Sequence, residues 1–256
     1  MNGRVRVKIC GMTRADDALC AAAAGVDALG FIFYAKSPRH IEPEAARRII
    51  AQLPPLVAAV GVFVNEEMAR VATLVRECGL QYVQLHGGES PEYCRELAAR
   101  TGCRVLKAIR VGPATTAADI APYRGAVCGY LLDTLHQDAV GGTGAVFDWA
   151  LIDRLELDHP FLLAGGLSVD NIALALAQAR PFGVDANSGL ERAPGIKDHD
   201  LIARFLALVR DATTSPQRAS RMPVSARPGS VRLRRRPYSG SRDCRRGPGC
   251  GRKRRH

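Results

Sequence analysis

Cys10 closes the run Arg4-Val5-Arg6-Val7-Lys8-Ile9 and is followed by Gly11. A thiol ending an apolar strand is ordinarily an inert buried group, but one delivered to a ligand is a candidate catalytic base, because the thiolate is the reactive form. Other short apolar runs also stop in groups that could do chemistry. The loop after the second run carries Ser37-Pro38-Arg39, and the fourth stops in Gln84-Leu85-His86-Gly87. The sixth stops in Leu131-Leu132-Asp133-Thr134, with Gly141-Gly142-Thr143-Gly144 close behind. The seventh leads into Gly165-Gly166, and the eighth reads Gly183-Val184-Asp185-Ala186-Asn187-Ser188-Gly189. Bare backbone N–H groups in such glycine-rich loops can converge on a phosphate. Because Gly165-Gly166 and Asn187-Ser188-Gly189 follow consecutive runs, a phosphate cradle is expected there. Gly142 and Gly144 belong either to the same cradle or to a lid.

Eight times along the first 211 residues a short β-branched run is followed by a helix-period segment. The strand candidates are 5–10, 28–33, 57–64, 82–86, 104–109, 127–133, 161–164 and 183–187. The helix candidates are 14–24, 43–52, 66–78, 91–100, 114–121, 148–155, 169–179 and 198–211. Near-continuous apolar strands alternating with amphipathic helices imply a parallel sheet, and eight such units in about 210 residues suit an α/β fold closed as a single (β/α)8 barrel. An open doubly wound sheet is the alternative. In a barrel, ligand-facing groups gather at the C-terminal ends of the strands, where the residues above stand. Lys8 alternates with Val7 and Ile9, so it is expected inside the barrel, either as a structural cation beneath the site or as an influence on the charge of Cys10. His86 and Asp185 are further candidate contacts at the mouth.

Composition separates the barrel region from the C-terminal stretch. Of 36 Lys+Arg and 25 Asp+Glu, residues 212–256 hold 14 basic residues against the single acid Asp243, leaving 22 basic and 24 acidic before them. The high overall charge therefore describes that stretch, which is rich in Arg, Pro, Gly and Ser, offers no buried face, and is expected to be a disordered basic tail. No apolar run approaches the roughly 18 residues of a membrane span, and Met1-Asn2-Gly3-Arg4 leads into a strand instead of a signal peptide, so a cytoplasmic protein is expected. The eight Cys include no CxxC pair, which indicates neither a disulfide framework nor a metal site.

Taken together, VKICGMT at 7–13, SPR at 37–39, QLHG at 84–87, LLDT at 131–134, GGTG at 141–144, LAGGL at 163–167, VDANSGLE at 184–191 and PGIKD at 194–198 resemble phosphoribosylanthranilate isomerases of tryptophan biosynthesis. The resemblance runs from about Val5 to Leu208. It implies a (β/α)8 barrel that rearranges N-(5'-phosphoribosyl)anthranilate to 1-(2-carboxyphenylamino)-1-deoxyribulose 5-phosphate with no cofactor and no metal. It also implies that Cys10 is the general base, that Asp133 is the general acid, and that Arg39 binds the anthranilate carboxylate, for which a planar fork is better shaped than an ammonium. For these roles the Cys10 thiol should ionise more readily than usual, while the Asp133 carboxyl should hold its proton. Ala186-Asn187 departs from the bulkier aliphatic residue and frequent Ser of the family. The partner implied is a phosphorylated small molecule, bound by a monomer or homodimer.

Other readings stay open on sequence alone. Histidine-pathway isomerases share the cradle but would have Asp in place of Cys10, and indole-glycerol-phosphate synthases would need a Lys/Glu pair. A barrel serving only as scaffold for nucleic-acid binding through Val231–Arg236 and Arg252–Arg255 would require no Cys10, Arg39 and Asp133 together. No nucleic acid is required by the barrel itself.

Overall fold

The computed structural model describes residues 4–134 and 148–214. Eight parallel strands follow one another around a closed barrel: β1 (Arg6–Ile9), β2 (Ala28–Ile32), β3 (Ala58–Phe63), β4 (Tyr82–Leu85), β5 (Arg104–Val111), β6 (Gly129–Thr134), β7 (Phe161–Leu163) and β8 (Gly183–Ala186). β8 closes on β1 with Val7 opposite Val184 and Lys8 opposite Asp185. The helices are α1 (Ala15–Ala23), α2 (Pro43–Ile50), α3 (Met68–Cys78), α4 (Pro91–Thr101), α5 (Ala117–Ile120), α6 (Ile172–Ala179) and α7 (His199–Thr214).

Side chains alternate across each strand. In β1, Val7 and Ile9 join the main apolar cluster, whereas Lys8 lies on the opposite face, inside the barrel. A small separate cluster of Ala108, Leu131 and Ala164, with Leu162 against it, fills part of the interior. The helices bury one stripe each: α3 hides Val71, Leu74, Val75 and Cys78, an i, i+3, i+4, i+7 series. α2 and α4 carry Pro in their first turn, and Ser90 accepts the N–H of Tyr93 to cap α4. α3 and α4 each stop at a left-handed glycine, Gly79 and Gly102.

Four expected helices differ. Residues 148–155 form only a 3-10 stretch, Trp149–Arg154; the buried residues Trp149, Ile152 and Leu155 repeat every three positions, the period of that tighter helix. The segment expected at 114–121 is α-helical only over α5 and tightens into 3-10 geometry at Ala121–Tyr123, where Pro122 has no N–H to give. α6 begins three residues late because side chains hold the preceding turn: Asn171 Oδ1 accepts the N–H of Ser168 and its Nδ2 donates to the Gly166 carbonyl. At the other end, α7 continues to Thr214, past the expected boundary at residue 211. Its buried stripe is Ile202, Phe205, Leu206 and Val209.

One element was not anticipated. β9 (Glu191–Ala193) and β10 (Ile196–Lys197) form an antiparallel pair after β8, turned by Pro194 and by Gly195 at φ 78°. Among the described residues no helix is long and apolar enough to cross a membrane. The basic stretch expected after residue 211 lies, from 215 onward, outside the described residues.

Candidate active site

Cys10 stands one residue beyond β1, on the inward face shared with Lys8, and is nearly completely buried. A Cβ built on Gly30 of β2 would lie 2.7 Å from the Cys10 sulfur and 3.1 Å from Lys8 Nζ, so only glycine leaves room for the two together. Lys8 Nζ lies beside the Cys10 sulfur and donates to Asp185 Oδ2 at 2.7 Å. Both members of that ion pair are buried, and the other carboxylate oxygen, Oδ1, has no partner among the described residues. Lys8 thus lies inside the barrel as a buried cation next to Cys10. Burial works against its positive charge, but Asp185 and then Cys10 more than offset this, and its pKa rises.

The easier ionisation that a base role asks of Cys10 is not what its surroundings supply. Burial pushes the Cys10 thiol above its ordinary value; Lys8 and Lys197 pull it down, and Asp185 adds to the rise. Desolvation outweighs the two cations because a thiolate loses more from leaving water than a partly neutralised ammonium returns.

β4 and β6 bring the second group to the mouth. His86 Nε2 is 3.2 Å from Asp133 Oδ2, and Gln84 Nε2 is 3.1 Å from His86 Nδ1. With the amide donating at Nδ1, the imidazole carries its proton at Nε2 and donates it to the Asp133 carboxylate. In this orientation Gln84 Oε1 has no partner. Turning the amide over gives Oε1 the Nδ1 proton and leaves Nε2 free to accept from a protonated Asp133. The row thus accommodates either tautomer of the His86 ring. Asp133 is about a quarter exposed, and it and His86 are electrostatically coupled to Asp185 across the barrel.

Arg39 reaches the same mouth from the β2 loop. A Cβ on Gly11, itself at φ 78°, would lie 2.7 Å from Asn187 Oδ1 and 3.0 Å from Arg39 Cδ, which puts Arg39, Asn187 and the Cys10 loop in contact. Arg39 Nε and Nη2 donate to Glu191 at 2.7–3.0 Å. Lys197 Nζ donates to the same carboxylate at 2.8 Å and to Asn187 Oδ1 at 2.9 Å. Sequence reasoning assigned no role to Gln84, Glu191 or Lys197. The signal for the last two was the Pro194-Gly195 turn between an acid and a base.

The loops after β7 and β8 meet backbone to backbone: a Cβ on Gly189 would lie 2.1 Å from the Leu167 carbonyl oxygen. Gly165 and Gly166 both have positive φ, and a Cβ on Gly165 would strike Thr134. The segments that carry Gly165-Gly166 and Asn187-Ser188-Gly189 therefore touch, through Leu167, Ser168 and Gly189. Gly142 and Gly144 lie outside the described residues.

The family model for N-(5'-phosphoribosyl)anthranilate (PRA) isomerase matches residues 7–207. A curated N-(5'-phosphoribosyl)anthranilate isomerase of Trichlorobacter lovleyi is 49% identical over 209 residues, covering 81% of this chain and 99% of that relative. The corresponding protein of Herminiimonas arsenicoxydans is 47% identical over 221 residues, covering 84% and 96%. Among solved structures, the phosphoribosyl anthranilate isomerase of Thermus thermophilus superposes with a TM-score of 0.73 at 38% identity, covering 81% of this chain and 99% of that one. A phosphoribosyl anthranilate isomerase in complex with reduced 1-(o-carboxyphenylamino)-1-deoxyribulose 5-phosphate gives 0.69 at 42%, with the same coverage. The chain belongs to the N-(5'-phosphoribosyl)anthranilate isomerase family.

Proposed function

We propose that the chain carries out the family's Amadori rearrangement in tryptophan biosynthesis with Cys10 as general base and Asp133 as general acid. Asp133, protonated, gives its proton to the ribose ring oxygen; the ring C–O bond breaks and the anthranilate nitrogen forms a Schiff base with C1. Cys10 as thiolate takes the proton from C2, and the electron pair of that C–H bond moves to neutralise the iminium. The resulting enolamine tautomerises to the aminoketose, so the product is an isomer of the substrate and no external oxidant or reductant is needed.

Arg39 binds the anthranilate carboxylate, and the backbone of Gly165, Gly166, Asn187, Ser188 and Gly189 binds the phosphate. Ligand at one end and phosphate at the other would span the mouth between Cys10 and Asp133. The observation that supports the assignment most is a cation-flanked thiol just beyond β1 and a His-bound carboxyl on β6, both at the C-terminal ends of barrel strands. Lys8 and Asp185 position Cys10 from below, and His86 orients Asp133. The protein acts in the cytoplasm on a phosphorylated small molecule, and residues 1–214 form the catalytic unit. Rescue of an isomerase-deficient tryptophan auxotroph by residues 1–214 tests the function; failure of a soluble, folded 1–214 chain to rescue would overturn it.

A further inference from the structure

Arg39 meets Glu191 side-on, through Nε and Nη2. That leaves the end-on fork, both hydrogens of Nη1 and the second of Nη2, with no hydrogen bond among the described residues. A guanidinium can grip two carboxylates at once in this way, one on each edge of its plane. The Glu191 side chain is only 4% exposed, and its grip is fixed from behind: Lys197 Nζ donates to Oε1, as does the Gly195 N–H at 3.2 Å. Lys197 in turn holds Asn187, and its backbone N–H donates to buried Asp17 of α1 at 3.0 Å. Lys197 also offsets the Glu191 charge, so that Arg39 is not silenced by its own internal partner. Although burial opposes it, the Arg39 and Lys197 contacts hold Glu191 below the usual carboxylate range.

We infer that Glu191 is a positioning residue for substrate recognition: carried by the β9–β10 hairpin and backed by Lys197, it holds the side-on edge of Arg39 so that the end-on edge is presented to the carboxylate of the substrate. The inference rests on the reading of Arg39 as the anthranilate-carboxylate ligand. It assigns the hairpin a purpose, since Glu191 and Lys197 sit at opposed positions of its two strands.

A double-mutant cycle on the full chain tests it, with KM, kcat, the Kd of reduced 1-(o-carboxyphenylamino)-1-deoxyribulose 5-phosphate, and inhibition by inorganic phosphate as readouts. Glu191→Ala and the isosteric Glu191→Gln are expected to raise KM and that Kd by about tenfold, with kcat within about threefold, the pattern of lost uniform binding. Phosphate inhibition should be unchanged. In an Arg39→Ala background the Glu191 substitutions should add less than about twofold, because two residues acting through one contact are not additive. Lys197→Met should reproduce part of the KM effect. If Arg39→Ala raises KM but neither Glu191 variant does, the positioning inference falls and the reading of Arg39 stands. If Arg39→Ala leaves KM unchanged, both fall. Equal weakening of phosphate inhibition, or full additivity in the double mutant, would mark a general disturbance and overturn the inference.

Discussion

Lys8 Nζ donates to Asp185 Oδ2 at 2.7 Å across the seam where β1 and β8 close the barrel. The pair is buried on both sides and lies directly beneath Cys10, so it serves the closure of the fold and the charge of the site together. Removing one member strands the other in the interior. Lys8→Met should cost about 3–5 kcal/mol of stability, whereas Lys8→Met combined with Asp185→Leu should recover much of it, since a well-packed apolar pair can replace a buried ion pair. Urea denaturation of the two variants checks this; equal stability of Lys8→Met and the parent chain would show that the pair carries little.

The pH dependence rests on the directions of two shifts. Cys10 is raised above the ordinary thiol value of 9.0, so the thiolate fraction is small at neutrality and grows about tenfold per pH unit up to that value. Turnover limited by the C2 proton should rise correspondingly from pH 7 to 9. Lys8 is raised above 10.5, so its contribution to stability is complete below that pH and is lost only as pH climbs through the higher folded value. The Lys8 contribution to stability is therefore intact across the window in which the rate climbs. A kcat/KM profile flat between pH 7 and 9 would show that proton abstraction by Cys10 is not limiting.

Cys10→Ser and Asp133→Asn should each lower kcat by at least about 10²-fold, the scale of a lost general base or acid, without unfolding the barrel. Ser puts a far less acidic hydroxyl where the thiol stood, at nearly the same size, and Asn at 133 retains a hydrogen bond to His86. Near-parental turnover in a folded variant would remove that residue from the mechanism.

How much of this was legible in the sequence depends on how local each feature is. The eight strands could be read because each is a continuous apolar run, as expected of strands covered on both faces, and the ends of those runs delivered Cys10, His86, Asp133 and Asp185. The β9–β10 hairpin could not, since its strands have three and two residues and no alternation. Glu191 and Lys197 were accordingly visible as charges but not as partners of Arg39. The direction of the Cys10 shift was not legible for a different reason: a neighbouring cation can be guessed from alternation with Lys8, but desolvation of the thiol depends on how Gly30 and the barrel wall close over the sulfur.

The contact between the loops after β7 and β8 supplies a steric test of the phosphate cradle. A Cβ on Gly189 would lie 2.1 Å from the Leu167 oxygen and 3.1 Å from Ser168 Cα, both backbone atoms that cannot rotate away. Gly189→Ala should part the two loops and raise both KM and the inhibition constant of inorganic phosphate by about tenfold, on the scale of one or two weakened hydrogen bonds. Unchanged phosphate competition would place the phosphate elsewhere.

The last prediction concerns residues 215–256. α7 places Ile202, Phe205, Leu206 and Val209 in the core, and the family match ends at residue 207, so the packing that closes the barrel is complete before Thr214. Residues 215–256 are basic and rich in Arg, Pro, Gly and Ser, with few apolar side chains to bury. A cut inside α7 would remove its last turn, which is why truncation belongs after Thr214 and not at the earlier boundary that the sequence pattern suggested. A chain ending at Thr214 should keep its melting temperature within about 2 °C, less than the shift expected from 1 kcal/mol in a domain of this size, and should keep its full turnover. A larger fall in either would show that the basic segment packs on the barrel or reaches its mouth.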